Sequence, residues 1–223
     1  MQLQKKDFIE IEFNAKIKDG EIFDSNKKEE LEKLNPKAEA KPFIFCLDEG
    51  MLLKGIDNFL IGKDLGEYKI ELKAKDAFGL RDPKFIQRIP TKVFYEQKIN
   101  PIPGMVLNFD GRIGKTIAVS GGRVIVDFNS PLAGKDVIYE IKILRKIEDI
   151  NEKVKALNDF FFGKDFKFEI VEKKLILETE DKLKNYIQLF KDKYKNMIDL
   201  DLEIKGVEDK KEKENDKTSE NSN

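Results

Sequence analysis

Residues 8–24 read FIEIEFNAKIKDGEIFD. Ile9, Ile11, Phe13, Ala15 and Ile17 alternate with polar or charged neighbours, which is the period of a half-buried strand. Asp19-Gly20 follows as a turn, and Glu21-Ile22-Phe23-Asp24 resumes the extended pattern. Working outward, Lys27 to Leu34 is charged, with Leu31 and Leu34 three apart, and reads as a short helix before Pro36. Phe43, Phe45 and Leu47 alternate behind Pro42. From Gly55 to Ile61, Ile56, Phe59 and Leu60 fall at helical spacing, closed by Gly62. Ile70, Leu72 and Ala74 form a further strand.

The composition changes from Pro83 to Ser130. Seven basic and three acidic residues make this segment +4 inside a chain of net charge −1. Pro101-Ile102-Pro103-Gly104 marks a turn, and Gly121-Gly122 between two apolar runs is a hairpin signal. The segment reads as an inserted all-β module. Val137 to Ile143 is another strand, after which the pattern turns helical. Val154, Leu157 and Phe161 share a face, and Phe166, Phe168 and Ile170 alternate. Leu183, Tyr186, Ile187, Phe190 and Tyr194 predict one amphipathic helix. Ile198 to Ile204 alternates again. An α-β-β-α-β unit of about 55 residues is marginal in core size and needs a partner surface.

Composition restricts the chemistry. Charged residues reach 38% against a usual figure of about 25%, yet 42 basic side chains offset 43 acidic ones, which argues against a chain built to coat nucleic acid. There is no histidine and one cysteine, Cys46. Ser–His and Cys–His nucleophile pairs are therefore excluded, and a Cys/His zinc site cannot be assembled within one chain. The opening residues lack an apolar signal core and no run approaches a membrane span, so a cytoplasmic protein without membrane contact is expected. Gly111 to Thr116 lacks the first glycine of a phosphate loop, since Phe109 stands there, and reads as a β-turn. Cys46 falls in a strand interior, where packing is its expected role.

The order of four motifs adds a reading that the residues taken singly do not give. Asp19-Gly20-Glu21-Ile22-Phe23-Asp24, Pro42-Phe43-Ile44-Phe45, Gly50 to Ile56, and Asp76-Ala77-Phe78-Gly79 resemble an FKBP-type peptidyl-prolyl cis-trans isomerase. The continuation through Arg81-Asp82-Pro83, with return at Asn129 to Lys135, resembles the SlyD-like branch, and the added C-terminal unit its long archaeal members. That resemblance implies an α+β fold: an FKBP-like antiparallel sheet wrapped on a short helix, an inserted all-β module and a small C-terminal α-β-β-α-β domain. The boundaries it implies are 1–82 with 131–148 for the isomerase domain and 83–130 for an inserted chaperone domain. Residues 149–206 would form the C-terminal domain and 207–223 a disordered charged tail.

By the same resemblance the catalytic pocket is walled by Phe13, Phe23, Phe43, Leu52, Leu53, Phe78 and Tyr139, with Ile56 as floor and Asp24 at the rim. Relatives often carry tyrosine where Phe13 and Phe78 stand and tryptophan at Ile56, departures that bear on ligand affinity more than on activity. No cofactor or metal is implied. The implied partners are unfolded or proline-containing polypeptides, and the 149–206 unit is expected to make a homodimer, because Phe160, Phe161 and Phe162 cannot all face one small core; the alternative is that this surplus packs on the isomerase domain of the same chain. Nucleic-acid or ribosome contact, resting on the +4 segment alone, is not expected. An isomerase with a chaperone insertion leads, ahead of a dimeric holdase with a weak or vestigial isomerase site.

Overall fold

The computed structural model describes residues 2–207, so the expected tail falls, except for Val207, outside the described residues. The opening strand is β1 (Phe8–Ile17), with Ile9, Ile11, Phe13 and Ala15 all buried. β2 (Ile22–Ser25) runs antiparallel to it, and α1 (Lys28–Leu34) follows with no buried residue. β3 (Phe43–Cys46) pairs with the first half of β1, and α2 (Lys54–Leu60) buries Ile56, Asp57 and Leu60. β4 (Glu67–Leu72) comes next. A Cβ on Gly55 would lie 2.7 Å from Leu72 Cδ2, so the glycine is what lets α2 approach β4 this closely.

The chain then builds a second sheet. β5 (Ile86–Pro90), α3 (Thr91–Glu96), β6 (Val106–Phe109), β7 (Arg112–Ser120) and β8 (Arg123–Asp127) follow in turn. The strands pair antiparallel in the order β5-β8-β7-β6 around a separate small core of Phe94, Val124 and Val126. Gly121 and Gly122 both have positive φ, 57° and 72°, as a two-residue hairpin turn demands. The all-β reading of this segment misses α3. Val93, Phe94 and Tyr95 favour strands locally, but a helix begun after Pro90 carries Phe94 into the insert core, and tertiary packing overrides propensity. The stem is tied by the Arg81–Asp127 ion pair and by Asn129, which accepts from the Asp82 N–H at 2.9 Å and donates to the Asp82 carbonyl at 3.1 Å.

β9 (Val137–Ile147) re-enters the first sheet between β1 and β4, giving β2-β1-β9-β4 with β3 also on β1. The register sets Ala15 opposite Tyr139 on one side and Asp24 on the other. Opposed residues share a sheet face, so these three stand in one row.

The C-terminal unit comprises α4 (Ile150–Phe162), β10 (Phe168–Val171), β11 (Lys174–Glu180), α5 (Asp181–Gln188), α6 (Lys191–Ile198) and β12 (Asp201–Val207). β10 and β11 are antiparallel, while β11 and β12 are parallel. The single helix expected through Leu183 and Tyr194 is two helices, broken at Leu189-Phe190. The break turns Phe190 inward, to ring-centroid distances of 4.9 Å from Phe161, 5.0 Å from Phe162 and 5.5 Å from Tyr186. No glycine or proline marks it, because its cause is the aromatic cluster rather than local chemistry.

This unit shares one continuous core with the first sheet. Phe8 and Ile9 are adjacent in β1 and face opposite ways, yet both are buried. On the second face the Lys153 ammonium of α4 lies 5.6 Å from the Phe8 ring centroid. The three consecutive phenylalanines diverge as helix geometry requires. Phe160 points to Phe43, while Phe161 packs on Phe190 and Tyr194 and Phe162 on Phe166. Much of the aromatic surplus is thus covered within the chain.

Candidate active site

Six of the nine expected pocket residues sit on elements already placed: Phe13 on β1, Phe23 and Asp24 on β2, Phe43 on β3, Ile56 on α2 and Tyr139 on β9. Leu52 and Leu53 precede α2, and Phe78 follows the turn of 3-10 helix at Ala74–Asp76. Phe13 stacks on Tyr139 at 6.1 Å, Phe23 meets Tyr139 edge-on at 6.2 Å, and Phe78 meets Phe23 edge-on at 5.6 Å. Offset and edge-to-face contacts of this kind fix rings relative to one another. Phe13, Asp24, Phe43 and Leu52 line a common cavity of about 690 Å³. Tyr139 backs that cavity through Phe13, with Phe23 against Tyr139 and Phe78 against Phe23, and none of the three lines it. Leu53 packs half-buried on the core and Ile56 is fully buried within it, and neither lines the cavity.

Ala15 makes room in this arrangement. It is the smallest side chain of its row, and it separates the Asp24 carboxylate from the Tyr139 ring. Asp24 is exposed at the rim, yet the surrounding walls remove enough water to hold its carboxyl above the ordinary range, against a backbone N–H from Ser25 that lowers it. Burial pushes the Tyr139 phenol up, and the nearby Asp24 charge adds to this, so the phenol is neutral and a donor at neutral pH. Among the described residues its hydroxyl has no hydrogen-bond partner. It is also the only hydroxyl among the nine pocket residues.

Sequence reasoning missed two groups. Ser25 and Asn26 clamp β1 at Phe13: the Asn26 side chain accepts from the Phe13 N–H at 2.7 Å and donates to the Ile11 carbonyl at 2.9 Å. The Ser25 hydroxyl donates to the Phe13 carbonyl at 3.1 Å. The Asp24-Ser25-Asn26 run is polar in a way that could have hinted at a strand-end clamp. The second group, on α4, lines the mouth of the cavity and carries no sequence signal, since Lys41 and its partner Asp159 are 118 residues apart.

Two other titratable groups stand apart from the cavity. Burial pushes the Cys46 thiol up to about 12, so it is no nucleophile at neutral pH. Asp57 of α2 is 2% exposed with Oδ1 unpartnered, and burial raises its carboxyl to about 6. Among the described residues no group of three or more Cys, Asp or Glu side chains is arranged to hold a metal ion, and no helix is long and apolar enough to cross a membrane.

Comparison with known proteins bears on both parts of the molecule. Residues 87–132 match the family described as FKBP26, IF domain. A short-type peptidyl-prolyl cis-trans isomerase of Methanocaldococcus jannaschii is 32% identical over 146 residues, 63% of this chain and 92% of that protein. The FKBP-type 16 kDa peptidyl-prolyl cis-trans isomerase of Escherichia coli K12 is 26% identical over 148 residues, 64% of this chain and 92% of the relative. The FKBP-type isomerase SlyD of Pasteurella multocida is 24% identical over 160 residues, covering 69% and 74% of the two chains.

Proposed function

Since the chain belongs to the FKBP-type peptidyl-prolyl cis-trans isomerases and carries an IF domain, we propose that it accelerates X-Pro rotation in folding polypeptides at the cavity beside Phe13, with the insertion holding the unfolded chain. The observation that carries this reading is the aromatic set around Phe13, with one donor hydroxyl and one rim carboxylate. Rotation about a peptide bond meets a barrier of about 18–20 kcal/mol from amide resonance. The twisted amide has lost that resonance, and its carbonyl is less polar. An apolar, water-poor cavity favours it over the planar amide, and only such differential binding accelerates the step.

In this reading Phe13, Phe43 and Leu52 seat the prolyl ring, while Phe23, Phe78, Leu53 and the buried Ile56 support that wall from behind. A substrate that enters along the Asp24–Ala15–Tyr139 row, beside the cavity lining, meets the Tyr139 hydroxyl, which donates to its carbonyl and supplies one of the donors absent at Phe13 and Phe78. Asp24 acts through its field on a carbonyl dipole that turns as the bond twists. No proton is transferred, which suits a chain without histidine.

The insertion is suited to grip unfolded chain. Along β7 the small Gly114 and polar Thr116 are buried while Ile113 and Ile117 are exposed, and Tyr95, Ile102 and Val106 are exposed nearby in sequence. Apolar groups concentrated on a domain of this size mark an interaction surface. Its stem begins at Arg81, three residues beyond Phe78, so a chain held there gains effective concentration at the pocket. The domain limits 1–82 with 131–148, 83–130 and 149–206 belong to this proposal, as does a cytoplasmic setting, which a lone buried thiol fits.

The second reading is a dimeric holdase, favoured by the missing hydroxyls at Phe13 and Phe78 and by Val171, Tyr186 and Leu189, which the 149–206 unit leaves exposed. Isomerisation of a proline peptide and suppression of aggregation, measured on one preparation, separate the two. Acceleration supports the first, and suppression without acceleration the second.

A further inference from the structure

The cavity beside Phe13 has a wall that the isomerase fold alone does not supply. Glu152, Lys155, Ala156 and Asp159 of α4 line it together with Phe13 and Asp24. Two contacts hold α4 in place: Phe160 lies 6.3 Å from Phe43, and the Lys41 ammonium reaches the Asp159 carboxylate at 2.7 Å across the mouth. Below them Val154, Leu157 and Asn158 are fully buried, so the wall is fixed before substrate arrives. About 690 Å³ lies near the middle of the range for ligand sites, roughly 300–1,000 Å³.

We propose that α4 is the second wall of the substrate groove, so that the C-terminal unit selects the residues flanking the proline and favours a basic side chain there. This rests on the isomerase reading of the cavity. The sign follows from which charges are already paired. Lys41 neutralises Asp159, and Glu152 is held by the Arg145 guanidinium at 2.7 Å. The lining charges left without an ion pair are Asp24, Glu39 and Asp165 against Lys155 alone, an excess of two negative charges. Apolar walls such as Phe13, Phe43 and Leu52 focus that field into the groove. A lysine or arginine beside the prolyl residue is attracted, and an acidic residue is repelled. Because the wall is pre-formed, only the substrate loses freedom on binding.

The test compares kcat/KM of the full-length protein on X-Pro peptides of equal length carrying Lys, Gln or Glu within two residues of the proline. Lys peptides should lead Glu peptides by roughly threefold or more at low salt, and the gap should shrink at high salt. Glu39→Lys combined with Asp165→Lys should bring the ratio to one or invert it, and Lys155→Glu should widen it. These side chains are exposed, so folding is not at stake. Normal acceleration without charge preference, or a preference that neither variant moves, would overturn the inference alone. Absence of acceleration on every peptide would overturn the isomerase reading and this inference together.

Discussion

Tyr139→Phe isolates one atom of the proposed mechanism. The ring is 3% exposed and held by Phe13 at 6.1 Å and Phe23 at 6.2 Å, contacts that phenylalanine keeps. The hydroxyl bonds to no protein group among the described residues, so its removal leaves no buried partner stranded. Stability should change by no more than about 0.5 kcal/mol. A hydrogen bond to a substrate carbonyl contributes about 0.5–1.5 kcal/mol, so kcat/KM on a proline tetrapeptide should fall about two- to tenfold. Exchange spectroscopy of the cis and trans proline signals gives the rate, and thermal unfolding gives the stability. Unchanged turnover at unchanged Tm would remove the hydroxyl from the mechanism. A large loss of stability would show that it holds the fold instead.

Three further outcomes follow from the same geometry. Asp57 binds a proton more tightly folded, near 6, than unfolded, so its contribution to stability falls as pH rises from about 4 to about 6 and is flat above; Asp57→Asn should raise stability at pH 7 by on the order of 2 kcal/mol and flatten that slope in denaturant titrations. Replacing the insertion by a short glycine linker between Arg81 and Pro131 should leave a folded enzyme, because the Gly134 N–H already donates to the Gly79 carbonyl at 2.8 Å; peptide turnover should survive and activity on unfolded protein should drop, and equal losses on both would count against a separate gripping role. Sedimentation of the full chain at tens of micromolar should show a dimer that Leu189→Lys weakens, since Leu189 is 77% exposed; a wild-type monomer would rule out self-association through 149–206.

Much of the first domain was legible in the sequence because its signals are local. The period-two run from Ile9 to Ile17 forms β1, and in the insertion Gly121-Gly122 likewise forms the turn that its φ requirement dictates. Motif order pointed to four residues that line the cavity, Phe13, Asp24, Phe43 and Leu52, but the grouping of the nine depends on register, such as Ala15 opposite both Asp24 and Tyr139, which no spacing specifies. What was missed is tertiary in origin. The α3 helix exists to bury Phe94, and the α5–α6 break exists to turn Phe190 inward, each against the local pattern. The α4 wall was invisible for a simpler reason. Its partners Phe43 and Lys41 lie more than a hundred residues away, and the charge on Asp159 reads as a solvated helix face until Lys41 is seen beside it.

In the proposed mechanism the cavity beside Phe13 lowers the barrier to X-Pro rotation. The most direct measurement is the cis-to-trans exchange rate of a short proline peptide with catalytic amounts of the full-length protein, wild type against Asp24→Leu, a change at the rim that leaves the core intact. Wild type should accelerate exchange clearly, and the variant should show a marked loss at equal folded fraction. Wild-type exchange at the uncatalysed rate, or equal acceleration by both proteins, would contradict it.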